Sequence, residues 1–213
     1  MGRKEEAYVY LKEAIISNQL KPDQPLAELA ISEQLHMSRT PIREAMRELE
    51  AEGLIVSYPA RGSFVASLTP YDVDEIYALR VLLETWALER SIFRIPESVL
   101  DELEELFRTA DSWEARHLAD RRLHGTISEY AGSKRLLDFI QVLNSQVERV
   151  RRISATDHNR SLASHKEHLE ILAQLRERDL PRCREALTRH LRGVADSAVE
   201  ATRYIGTGGK EQT

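Results

Sequence analysis

The chain has 213 residues, with 35 acidic against 30 basic side chains and a formal net charge of −5. That length accommodates two modest domains or one large one, and the charge excludes a global basic field, so any nucleic-acid-reading surface must be concentrated locally. No apolar run approaches the roughly 18–20 residues that span a bilayer, and the opening "MGRKEEAYVY" lacks the apolar stretch of a signal peptide. A single cysteine, Cys183, excludes an internal disulfide framework, so a reducing cytoplasm is the expected location.

Residues 4–20 place Leu11, Ile15 and Ile16 at helical spacing before "KPDQP" breaks the pattern. A second short helix is expected over 26–35, with Leu29, Ile31 and Leu35 on its apolar side, and "HMS" links it to a third over 39–52. Ser38 suits the N-cap, Pro41 the first turn, and Gly53 the position just past the end. The period then becomes strand-like: "LIVSY" and "SFVAS" flank "PARG", a small hairpin with Gly62 near its tip. After "TPYD" every segment reads as helical. A helix over 71–92 carries Ile76, Leu79, Leu83 and Trp86 or Ala87 on one face, and Pro96 opens another that runs to 117. Further helices are expected over 119–131, 134–154, 161–179 and 181–204. The expected fold is therefore mainly α: a winged helix-turn-helix over 1–69, an all-α antiparallel helical bundle over 70–205, and a Gly-rich polar tail, 206–213, expected to be disordered.

Three short helices followed by a hairpin place the third helix in a DNA major groove. Arg39, Arg43 and Arg47 recur every fourth residue and stack along one of its faces, while Ile42, Met46 and Leu49 or Ala45 occupy the other. An arginine fork can grip guanine O6 and N7, with about 1–3 kcal/mol of discrimination per good contact. Ser38 and Thr40, at the helix N-terminus, can hold a phosphate. In the wing, Arg61 can reach phosphates or the minor groove, and Gly62 allows close backbone approach. The competing reading pairs the three arginines with Glu44, Glu48 and Glu50 on a solvated helix.

The stretch "MSRTPIREAMRELEAEGLI", followed by "PARGSFVA" and preceded by "LAELAISEQL", closely resembles the DNA-binding domain of the GntR family of bacterial transcription regulators. The resemblance covers about residues 5–66. It implies operator contacts from Ser38, Arg39, Thr40 and Arg43, with Gly62 as the wing glycine. His36 departs from the pattern, since relatives often carry glycine in that turn.

In the second half, Asp120 and His124 stand four apart and leave the same helical face. Such a pair can be a surface contact, half of a catalytic dyad, or two ligands of a metal. His168 and His190 lie on the last two helices, whose short connection at Pro181 makes them antiparallel neighbours with the imidazoles near one level. One carboxylate and three imidazoles from three helices make a bundle-core site, suited to Zn²⁺, Ni²⁺, Mn²⁺ or Fe²⁺, zinc first among them. Spacing alone leaves all three readings open.

The helical half looks like the effector domain of the FadR-like branch of the same family, the FCD type. "YALRVLLE", with Arg80 and Glu84, resembles its opening motif; "ADRRLHGTISEYAGS" resembles its Asp-x-x-x-His motif; "KEHLEILAQLRERDLPRCREALTRHL" resembles its closing segment. The resemblance implies Asp120, His124, His168 and His190 as metal ligands, with His165 as the nearest rival, placed behind them or at the surface. Ser133 departs from the pattern, where many relatives carry asparagine. Members that bind fatty acyl-CoA lack the metal set, so its presence implies the small-molecule branch. A carboxylate effector would complete the metal's coordination. Arg80 is the first candidate to bind that anion, ahead of Arg149 and Arg152, against a competing ion pair with Glu84 or Glu75. Trp86 and Trp113 are expected as core or interface anchors, and Cys183 carries no mark of a nucleophile. The sequence thus predicts a homodimeric operator-binding repressor, not an enzyme, that senses a small carboxylate metabolite. A metal-responsive repressor and a bundle-type metalloenzyme are the alternatives.

Overall fold

The computed structural model of the chain describes residues 2–154 and 158–207. Two compact units separate: Met1–Thr69 with Val142–Ile153, and Pro70–Gln141 with the residues from Ser154 onward. By its contacts the stretch 142–153 groups with the first unit, although the sequence reads it as part of the helical domain.

The first unit runs α1 (Arg3–Ile16), β1 (Pro25–Leu26), α2 (Glu28–Gln34), α3 (Arg39–Ala51), β2 (Ile55–Tyr58) and β3 (Gly62–Val65). Its core collects Leu11 and Ile15 of α1, Ile31 of α2, Ile42, Met46 and Leu49 of α3, and Leu54, Ile55 and Val65 around the sheet. Helix α1 stops short of the expected residue 20. Asn18, at φ 60°, turns the chain out of the helix, and the Leu20 N–H closes the turn on the Ala14 carbonyl. The wing has one more strand than expected. Pro25 and Leu26 pair antiparallel with Phe64 and Ser63, giving the order β1–β3–β2. Proline opening a short edge strand is permitted there because its missing N–H faces away from the ladder. This strand uses up the first residues assigned to the second helix, and Leu29 is left 56% exposed. At the hairpin, Ala60 and Gly62 both have positive φ, 61° and 93°. A Cβ at Gly62 would meet nothing within 4 Å, so backbone conformation rather than crowding calls for glycine there.

Residues 142–153 join this unit through the end of α3. The Glu52 carboxylate accepts from Tyr8 Oη (2.5 Å), Lys12 Nζ (2.9 Å) and Ser145 Oγ (2.5 Å), and its carbonyl accepts from Gln146 Nε2 (2.7 Å). Gly53, at φ 71°, suits a backbone conformation that other residues rarely adopt, and a Cβ there would also push aside the Gln146 amide.

The second unit is built from α4 (Pro70–Ser91), α5 (Glu97–Arg108), α6 (Trp113–Tyr130), the start of α7 (Lys134–Ser154), α8 (His158–Glu177) and α9 (Leu180–Thr207). Helix α4 packs on α6 and α9, and α8 packs on α5, α6 and α9. The buried stripe of α4 includes the expected Ile76 and Ala87 but is otherwise rotated from the expected face. It runs Val73, Ile76, Tyr77, Arg80, Glu84, Ala87, Leu88 and Ser91, while Leu79 and Trp86 are 45% and 39% exposed. Apolar periodicity misplaces this face because its middle turns carry an arginine and a glutamate. The helix expected from Pro96 to 117 is two helices. Ser112 accepts a hydrogen bond from the Ala115 N–H at 3.0 Å and so caps a new start for α6. Of the tail expected to be disordered, residues beyond Thr207 lie outside the described residues. Among the described residues no helix is long and apolar enough to cross a membrane.

Candidate metal centre and DNA-reading face

The turn between α8 and α9 brings the site together. Arg178 adopts φ 57°, the Asp179 N–H bonds the Gln174 carbonyl, and Asp179 Oδ1 accepts from the Arg182 N–H at 3.1 Å, capping α9. The two helices then run back along each other, held by buried Ile171, Leu172, Leu187 and Leu191. His168 Nε2 lies 3.0 Å from His190 Nε2 and 3.1 Å from Asp120 Oδ1 of α6. His124, one turn beyond Asp120, has its Nε2 3.5 Å from the same oxygen. One ligand atom from each of Asp120, His124, His168 and His190 lies within 4.8 Å of all the others, and the three imidazoles are buried. The structure thus gathers all four residues singled out from the sequence.

Behind the imidazoles stand two carboxylates. His124 Nδ1 is 2.5 Å from Glu84 Oε2, and His190 Nδ1 is 2.8 Å from Glu167 Oε2. Each carboxylate is itself held by an arginine: Arg80 Nε donates to Glu84 Oε1 at 2.7 Å, and Arg160 Nη2 donates to Glu167. The Arg80 guanidinium also lies over the Tyr77 ring, 5.2 Å from its centroid. A carboxylate on Nδ1 fixes the tautomer with its proton outward, which turns a bare Nε2 lone pair inward.

Electrostatics follow this layout. Burial disfavours the His124 imidazolium, yet the Glu84 charge and the acceptance of its ring protons by Asp120 and Glu84 outweigh it and raise the pKa. For His190, burial and the neighbouring His168 and His124 push the pKa well below the ordinary value. Burial alone would raise Glu84, but the Arg80 charge and His124 hold its carboxyl down to about 2.

The donor set fits a divalent transition metal. Ligand atoms about 2.0–2.1 Å from one ion stand roughly 2.9 Å apart at right angles and roughly 3.4 Å apart at the tetrahedral angle; three of the six separations here, 3.0, 3.1 and 3.5 Å, are close to that, and all six lie within 4.8 Å. His124 Nε2 is buried and makes only the long 3.5 Å approach to Asp120 Oδ1, short of a well-formed hydrogen bond, a shortfall that an ion at the centre would remove.

The remaining candidates separate. Arg80 is buried and its Nε is committed to Glu84, the ion pair weighed from the sequence. Arg149 Nη2 donates to the Ala66 carbonyl at 2.6 Å, and Arg152 Nε lies 3.8 Å from Glu148. His165 shares the Phe107 ring with His168, and burial together with Arg116 lowers its pKa. Trp113 stacks on His117, and the Trp86 ring is covered by Arg90. The Cys183 thiol is buried and pushed up to about 12, which leaves it inert. Sequence reasoning missed Glu167 altogether and saw Glu84 only as a partner for Arg80. The available signals were the position of Glu167 directly before His168 and of Glu84 one turn beyond Arg80.

On the first unit, Arg39, Thr40, Arg43 and Arg47 of α3 are exposed, and Ser38 at its N-cap makes no side-chain capping bond. Arg61 and Gly62 are exposed in the wing, with Arg61 over the Tyr58 ring at 5.5 Å. The expected partners Glu44, Glu48 and Glu50 do not hold the arginines. Glu28 of α2 does: Arg43 Nε and Nη2 donate to its two oxygens at 2.9 and 2.7 Å, and Arg39 Nε lies 3.7 Å away.

Known proteins resemble both parts of the chain, and the match to the second part runs through 142–153. Residues 3–65 match the bacterial regulatory proteins of the gntR family, and residues 75–193 match the FCD domain. The HTH-type transcriptional regulator YdhC of Bacillus subtilis is 27% identical over 211 residues, covering 96% of this chain and 92% of that protein. The HTH-type transcriptional repressor RspR of Escherichia coli K12 is 29% identical over 199 residues, covering 91% and 87%. Among solved structures, a GntR transcriptional regulator from Rhodococcus sp. RHA1 superposes with a TM-score of 0.76 at 21% identity, covering 94% of this chain and 99% of that one.

Proposed function

The chain belongs to the gntR family of bacterial regulatory proteins and carries an FCD domain, and on that premise we propose that it is a metabolite-responsive repressor whose helical domain senses a small carboxylate at a metal. Family membership makes it a DNA-binding transcriptional regulator and not an enzyme. In our reading it acts in the cytoplasm as a homodimer, whose two α3 helices meet a palindromic operator. Arg39, Arg43 and Arg47 read base edges, Ser38 and Thr40 hold a phosphate at the α3 N-terminus, and Arg61 and Gly62 bring the wing against the duplex. A repressor role accords with the name of its Escherichia coli relative.

One observation carries the sensing half of this reading: Asp120, His124, His168 and His190 offer four converging ligand atoms in a buried cluster. Asp120 supplies the anionic ligand, and Glu84 and Glu167 keep His124 and His190 in the tautomer that binds a cation. A bound divalent ion, zinc first, would supply open coordination positions for a carboxylate. Arg80, already drawn to this place by Glu84, is the cation for the effector's charge. The effector shifts DNA affinity only so far as it binds the DNA-competent and DNA-incompetent forms unequally. A second reading, in which the ion itself is the signal, rests on the same cluster. Measuring DNA affinity with chelator, with zinc, and with zinc plus small carboxylic acids separates the two. A thermal-shift screen of the zinc-loaded protein against those acids tests the proposal further. His168→Ala should abolish every acid-induced shift, and Arg39→Ala should keep the shift and lose DNA.

A further inference from the structure

We propose that Glu28 determines sequence specificity: its carboxylate clamps one edge of the Arg43 guanidinium and aims the opposite edge at a base. The proposal rests on the reading of α3 as the groove-entering helix. A guanidinium has five N–H donors in a fixed plane. Glu28 takes the Nε–H and one Nη2–H of Arg43 in a bidentate clasp, at 2.9 and 2.7 Å. The other Nη2–H and the two on Nη1 then project from the end of the side chain. Two parallel N–H groups on that edge are what guanine O6 and N7 accept.

The clamp is itself anchored. Glu28 sits in the first turn of α2, where the helix dipole favours a carboxylate, and its side chain is only 24% exposed against 52% for Arg43. Arg39 Nε, one turn earlier on α3, adds a second cation at 3.7 Å. The Arg43 hydrogen bond holds the Glu28 carboxyl below its usual range, so it stays ionised.

Two consequences follow. A long side chain otherwise free to rotate is fixed before DNA arrives, so less ordering is lost on base contact. A carboxylate among arginines also repels phosphate, which weakens sequence-independent binding. Both raise the ratio of specific to non-specific affinity, and neither is expected of an ordinary exposed salt bridge.

The test uses full-length protein, a duplex enriched by the wild type from a random-sequence pool, and a scrambled duplex of the same composition. Affinities for both are measured by fluorescence anisotropy across a salt series. Glu28→Gln should tighten binding to the scrambled duplex, lower discrimination about tenfold, and steepen the salt slope by about one. Glu28→Asp keeps the charge but shortens the reach, so it should lose discrimination while retaining the wild-type salt slope. Arg43→Ala should lose discrimination in either background. Unchanged discrimination in Arg43→Ala would sink the underlying assignment of α3. Lost discrimination in Arg43→Ala would uphold that assignment. In that case, wild-type discrimination in Glu28→Gln, or equal weakening on both duplexes, overturns the clamp. Full discrimination in Glu28→Asp overturns the aiming.

Discussion

The two units organise charge in opposite ways. On α3 the arginines stand in solvent, with one carboxylate, Glu28, gathering two of them. In the helical unit, Arg80 and Glu84 are nearly fully buried and the carboxylate, held by the arginine, stands against a histidine ring nitrogen. The exposed arrangement leaves donors available to a polyanion and contributes little to folding. The buried one holds its side chains in fixed partnerships, because any member left alone would be an uncompensated charge in a low-dielectric interior. A DNA-reading surface needs the first property, and a coordination site needs the second.

That contrast can be broken most severely by removing a ligand. His190→Ala should lower zinc affinity by about three orders of magnitude, read by competition with a chromophoric chelator, and leave DNA affinity of the metal-free protein unchanged. Next comes the buried pair. Glu84→Ala strands Arg80 and should cost about 3–5 kcal/mol of stability, whereas Glu28→Gln should barely move the melting temperature; denaturant titration of both variants compares them directly. Equal costs would erase the distinction between the two sites. Glu167→Gln keeps the size of the side chain that orients His190, so it should weaken zinc binding by about ten- to a hundredfold with little change in fold by circular dichroism.

A smaller effect concerns the one partly buried polar hub of the first unit described above. Burial pushes the Glu52 carboxyl up, but hydrogen bonds from Ser145, Tyr8 and Lys12 outweigh this and hold it below its ordinary 4.5. A group with a depressed folded pKa stabilises the fold above its unfolded pKa and loses that contribution as pH falls through the folded value. Stability measured from pH 7 downward should therefore decline below about 4.5, and more shallowly in Glu52→Gln. The smallest effect is expected at His36, which adopts φ 51° in the turn between α2 and α3. Glycine relieves that conformation but gains entropy when unfolded, so His36→Gly should raise stability by only about 0.5 kcal/mol.

Much of the architecture was legible in the sequence because local signals agreed. In α3, Ser38 before the helix, the arginines every fourth residue and Gly53 after it all point to one segment and one face. The four clustered residues were legible for a different reason: spacing put Asp120 with His124 and His168 with His190 but left their role open, and the family resemblance joined them into one candidate ligand set. What escaped notice depends on tertiary partners. Strand β1 is two residues long and exists only through β3. The true face of α4 is hidden because Arg80 and Glu84 interrupt its apolar stripe, and the same interruption hides the role of Glu84 behind His124. Glu28 meets Arg43 across fifteen residues of sequence, a contact that no helical period encodes.

The central claim is that this buried cluster lets the helical domain answer a carboxylate and report it to DNA. It is tested most directly by titrating small carboxylic acids into the zinc-loaded protein on its selected duplex, wild type beside His168→Ala. At least one acid should change the wild-type DNA affinity by about fivefold or more and leave His168→Ala unmoved. An affinity that no acid alters, or an equal response in both proteins, would contradict it.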